Sequence, residues 1–84
     1  MLKILYFASL RERMGRNEED LAPPPSVTTV ADLIAHLRSR DPAGAAAFAQ
    51  PSLVRAAVNQ EFANLQTVIH ESDEIAFFPP VTGG

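Results

Sequence analysis

Glu74-Ile75-Ala76-Phe77-Phe78-Pro79-Pro80-Val81-Thr82-Gly83-Gly84 reads as a strand that runs into a tail. Ile75 and Phe77 alternate with Ala76 and Phe78, the period-two pattern of a strand with one buried face. Neither Pro79 nor Pro80 has a backbone N–H to give to a sheet, so pairing should stop there and the chain should leave extended. Glycine has no Cβ, and a Gly83-Gly84 end can lie in a narrow groove with its carboxyl carbon against another protein's backbone. At about 3.1 Å per residue, Pro80 to Gly84 reaches roughly 15 Å from the folded body. We therefore expect a domain over residues 1–79 and a flexible tail over residues 80–84.

A second apolar run, Leu2 to Ala8, is broken only by Lys3. With Lys3 in water, Leu2, Ile4 and Tyr6 face inward, while Leu5 and Phe7 share the wet face. Ser9-Leu10-Arg11-Glu12 has the form of a capping box and Gly15 that of a C-terminal stop, which predicts one or two helical turns. Asn17 to Leu21 suits a short polar edge strand, closed by Pro23-Pro24-Pro25. Val30, Leu33, Ile34 and Leu37 then fall at i, i+3, i+4 and i+7, a helix capped by Thr29 with Asp32 in its third position. His36 lies off that stripe. Asp41-Pro42 opens a weaker helix over Ala43 to Ala49 despite Gly44, and Pro51 ends it.

Leu53 to Val58 returns to strand character, with Val54, Ala56 and Val58 on one face and Leu53, Arg55 and Ala57 on the other. Asn59-Gln60 reverses the chain, and Phe62 begins the returning strand. This order predicts an α+β fold: a mixed sheet of four to five strands packed on one main helix, with short extra helices and the first and last strands as central neighbours. Leu5, Phe7, Ala57 and Phe78 then share the sheet face away from the helix, an apolar surface next to the tail.

Composition narrows the chemistry. A chain of 84 residues suits one small domain, with no room for a cleft between two lobes. Cysteine is absent, which excludes disulfides, thiolate zinc sites and a cysteine nucleophile and is compatible with a reducing compartment. The net charge of −3, with seven scattered Lys and Arg, gives no nucleic-acid footprint. The N-terminal apolar run is too short for a signal segment or a membrane span, so we expect a soluble cytoplasmic protein. No Gly-rich phosphate loop, Ser/His/Asp order or metal-ligand cluster is present, and His70 lacks a second ligand at metal spacing. A terminal carboxyl group has a pKa of about 3.3 to 3.7, so at neutral pH it is an anion and a poor electrophile. It must be activated before it reacts, and a partner must bind the nucleotide that activates it.

Phe7-Ala8-x-x-Arg11-Glu12, Ala57-Val58-Asn59-Gln60 and above all Asp73 to Gly84 resemble the small subunit of molybdopterin synthase, a ubiquitin-like β-grasp sulfur carrier. The resemblance implies that an adenylating enzyme of the ubiquitin-activating type, using ATP and magnesium, converts the Gly84 carboxylate to an acyl-adenylate. A sulfur donor system would then leave a thiocarboxylate on Gly84, the carrier itself binding no cofactor. The large subunit would receive the tail, supply the catalytic lysine, and pass the sulfur to cyclic pyranopterin monophosphate within a heterotetramer of two small and two large subunits. By the same resemblance Pro80, Val81, Thr82 and Gly83 position the tail, and Phe7, Phe78, Leu5, Ala57 and Arg11 form the docking surface. A thiamine-pathway sulfur carrier and a ubiquitin-like protein modifier share the Gly-Gly end. A β-grasp interaction module without terminal chemistry is the alternative from another class.

Overall fold

The computed structural model describes residues 1–80. Its elements are β1 (Leu2–Tyr6), α1 (Ala8–Met14), β2 (Glu18–Leu21), α2 (Val30–Arg40), α3 (Pro42–Ala47), a 3-10 turn (Pro51–Leu53), β3 (Arg55–Val58), β4 (Glu61–Ala63) and β5 (Glu74–Phe78). The five strands form one mixed sheet in the order β2-β1-β5-β3-β4. β1 and β5, the ends of the described chain, lie parallel at the centre with Ile4 opposite Ile75 and Tyr6 opposite Phe77. The other three pairings are antiparallel.

The sheet has one buried face because its strands alternate. Leu2, Ile4 and Tyr6 of β1 and Ile75 and Phe77 of β5 are buried against the α2 stripe Val30, Leu33, Ile34 and Leu37. Each such side chain contributes about 1.5 to 3 kcal/mol by leaving water. Phe48 fills the space between the sheet and α3, its ring meeting Phe77 edge-on at a centroid distance of 5.0 Å. α2 starts where its sequence dictates: Thr29 Oγ1 accepts from the Asp32 N–H, and the Asp32 carboxylate accepts from the Thr29 N–H. Asp41 likewise accepts from the Gly44 N–H at 2.7 Å and opens α3 with Pro42 in its first turn.

Three local expectations differ from the structure. α1 begins at Ala8, with no side-chain cap from Ser9, because the Phe7 N–H still donates to the Phe77 carbonyl and holds the chain in the sheet up to that point. The turn into α1 is made at Ala8, whose φ of 52° is left-handed. Leu53 lies in the 3-10 turn begun by Pro51 and not in a strand, so β3 starts only at Arg55. α3 stops at Ala47, with Phe48 turned into the core, short of the expected Ala49.

Candidate functional site

The sheet face turned away from the helices carries a row of small and apolar side chains at one register level. Leu5 on β1 is opposite Ala76 on β5, Ala76 is opposite Ala57 on β3, and Ala57 is opposite Phe62 on β4. Phe62 is 90% exposed. Phe78 lies two residues beyond Ala76 on the same face, opposite Arg55, and its ring meets that of Phe62 at a centroid distance of 6.0 Å. Phe7, 47% exposed, follows β1 at the level where β5 ends. Leu5, Ala57 and Phe78 are thus gathered on one face with Phe7 at its end, while Arg11 is exposed in the last turn of α1.

Phe62 falls on a strand in the sequence without any sign of a role within that strand, and Ala76 likewise carries no signal within its own that it belongs to the site. The signal lies between strands: the two-residue Asn59-Gln60 turn, with φ of 52° and 70°, pairs Val58 with Glu61 and therefore Ala57 with Phe62. A turn with both central residues left-handed twists with the flanking strands, which fixes that register.

The chain leaves this face beside a groove of about 500 Å³ between α1 and the α3 end, lined by Ser9, Leu10, Arg13, Leu53, Pro79 and Pro80. Pro80 is half-buried there. Val81, Thr82, Gly83 and Gly84, the residues expected to position and carry the reacting group, lie outside the described residues, as does the expected tail from 81 onward. The turn that precedes β5 is tied down by Asp73, which accepts from the Asn59 side-chain amide at 3.0 Å and the His70 N–H at 2.8 Å. Those bonds, the Asn59 amide first, hold the Asp73 carboxyl below its ordinary pKa. At the same end of the sheet, where the Lys3 N–H donates to the Asp73 carbonyl, the Lys3 ammonium sits 3.1 Å from the Glu18 carboxylate, whose hydrogen bond raises the lysine pKa. No cluster of metal-ligating side chains occurs among the described residues. Nor is any helix among them long and apolar enough to cross a membrane.

The described residues combine an apolar sheet face with a chain exit beside the groove lined by Pro79 and Pro80. The ThiS family profile matches residues 4–84. The molybdopterin synthase sulfur carrier subunit of Escherichia coli strain K12 is 38% identical over 84 residues, covering 100% of each chain. SAMP1 from Haloferax volcanii, a small archaeal modifier protein, superimposes with a TM-score of 0.74 at 25% identity over 99% of this chain and 98% of its own. A complex of subunits 1 and 2 of molybdopterin-converting factor from Helicobacter pylori contains the same fold, with a TM-score of 0.63 at 19% identity over 99% of this chain and 97% of the matched one. On the match that runs from residue 4 to residue 84 and the relative that is similar along its full length, the chain belongs to the ThiS family.

Proposed function

We propose that this chain is the sulfur-carrying small subunit of a molybdopterin synthase and that Gly84 carries the sulfur. The observation behind the reading is the continuous apolar row Leu5-Ala76-Ala57-Phe62, flanked by Phe78, which lies two residues before Pro80 at the chain exit. Phe7, Phe78, Leu5, Ala57 and Arg11 dock on the large subunit, and Phe62 joins them. The likeness to the Escherichia coli carrier subunit supports the assignment to this pathway.

In this mechanism the Gly84 carboxylate attacks the α-phosphate of magnesium-bound ATP on an adenylating partner, giving the acyl-adenylate and pyrophosphate. The outer sulfur of a donor persulfide then attacks the acyl carbon, AMP leaves with the C–O electron pair, and a second thiol of the donor system cleaves the resulting acyl disulfide, leaving a terminal thiocarboxylate and a donor disulfide. The nucleotide and magnesium belong to the activating enzyme; this chain holds no cofactor. Docked on the large subunit, the thiocarboxylate passes its sulfur to cyclic pyranopterin monophosphate: the sulfur bonds to a substrate carbon, water cleaves the acyl C–S bond, and Gly84 returns as a carboxylate. Pro80 starts the tail already restricted in φ, which lowers the cost of about 1 to 2 kcal/mol per residue for ordering it in a partner's groove. Gly83, Thr82 and Val81 complete that segment. The cysteine-free composition suits a reducing cytoplasm.

A protein-modifying role is the second reading, favoured by the likeness to SAMP1. Intact mass after incubation with the activating enzyme, ATP and a sulfur source tests the first: oxygen is replaced by sulfur at the C terminus. The thiocarboxylated chain plus the large subunit then converts cyclic pyranopterin monophosphate to molybdopterin. Attachment to protein lysines with no such conversion favours the modifier. Full function after deletion of Gly84 leaves only an interaction module.

A further inference from the structure

The chain contains six arginines and a single lysine, and their placement divides the molecule. Arg13 lines the exit groove with Pro79 and Pro80, Arg11 shares its helix turn, and Arg55 is opposite Phe78. Lys3 is opposite Glu74, at the far end of the parallel β1–β5 pair, with its ammonium on Glu18. Phe78 lies about 13 Å along β5 from Glu74 at about 3.3 Å per residue. Four residues beyond Pro80 span at most about 14 Å, so doubling back to Lys3 takes nearly their full extension.

We propose that the tail end is kept free of amines so that the activated Gly84 carbonyl is not captured by its own chain: arginine supplies the positive charge there, and the one lysine is held at the far end of the β1–β5 pair, which the tail meets only when folded back near full extension. This rests on the proposed activation of Gly84. A neutral lysine amine attacks an acyl-adenylate, the C–N bond forms as the C–O bond to AMP breaks, AMP leaves with the electron pair, and the nitrogen's proton passes to water. The product is an amide, a dead end for sulfur transfer. A guanidinium stays protonated at neutral pH and offers no free electron pair for that attack.

The experiment introduces the missing nucleophile. Wild type, Arg13→Lys and Arg55→Lys are incubated with the activating enzyme, ATP and magnesium without a sulfur donor, and each product is weighed intact and mapped by peptide fragmentation. A parallel sample of each contains hydroxylamine, which traps the acyl-adenylate as a hydroxamate. The two lysine variants should lose the mass of one water and carry an internal Gly84 amide at least about tenfold more often than wild type, as proximity dictates. Hydroxamate formation in all three without internal amide in either variant overturns the proposal, as does equal amide formation at Lys3 in wild type. Absence of hydroxamate from wild type overturns the activation of Gly84 itself, and the inference with it.

Discussion

Phe62 is the residue on which sequence and structure part most sharply. A phenylalanine left 90% exposed on a three-residue edge strand contributes little to the fold. The Phe62→Ser variant should melt within a degree or two of wild type, while its affinity for the large subunit falls by about tenfold or more, measured by titration calorimetry. Phe78 is half-buried against it, so Phe78→Ala tests the same patch from its inner edge. We expect about 2 kcal/mol or more of lost binding with the melting temperature nearly unmoved. Unfolding of that variant with unchanged affinity per folded molecule assigns Phe78 to the fold and not to docking. Alternation within β5 made Phe78 legible in the sequence, because its own strand states which way it points. Phe62 required the register of a hairpin, a relation between two strands that the length of the Asn59-Gln60 turn carries and the alternation of a single strand does not.

Between elements, the deciding contacts are backbone ones. Gly44 reads as a weak point in a helix, yet a Cβ there would sit 1.8 Å from the Leu37 carbonyl oxygen and 2.8 Å from its carbon. The glycine is what lets α3 cross the end of α2 at this distance, so Gly44→Ala should cost about 3 kcal/mol in denaturant unfolding despite alanine's better helix propensity. A stabilised variant would show that α3 can shift without loss. Thr29→Ala, by contrast, removes one half of a capping box and should cost about 1 kcal/mol. That box was legible because every group in it lies within four residues. The Ser9 box has the same spelling and fails, since the strand hydrogen bond from Phe7 to Phe77 fixes where the chain can turn. Local rules held where nothing distant competed with them.

At the scale of the molecule, the β1–β5 neighbourhood and the single main helix followed from alternation and periodicity, but the tie between the two layers did not. Glu19 reads as solvated charge in an acidic edge strand; in the structure its side chain is only 10% exposed. It accepts from the Tyr6 hydroxyl at 2.7 Å and from Arg40 at 2.7 and 3.0 Å, joining β2 and β1 to the end of α2. Burial alone would raise the Glu19 pKa; the Arg40 and Tyr6 hydrogen bonds outweigh it and leave the carboxyl below its ordinary value near 4.5. Burial, then the bond to Glu19, pushes the Tyr6 phenol well above its usual range. For Glu19 the unfolded chain takes up its proton first as pH falls, so stability from this group is complete above about pH 4.5 and is lost as pH falls through the lowered folded pKa. Glu19→Gln should therefore be less stable than wild type by about 2 kcal/mol at neutral pH, and the gap should narrow as pH falls toward the folded value. The depressed Asp32 and Asp73 carboxyls are common to both proteins and cancel in the difference, while Asp41 shares Arg40 with Glu19 and titrates as part of the same network. Urea unfolding of the two proteins at a series of pH values reads that gap directly. A gap that stays constant down to acid would mean the Glu19 carboxylate charge contributes nothing, and that shape and neutral hydrogen bonding hold the edge strand to the helix layer.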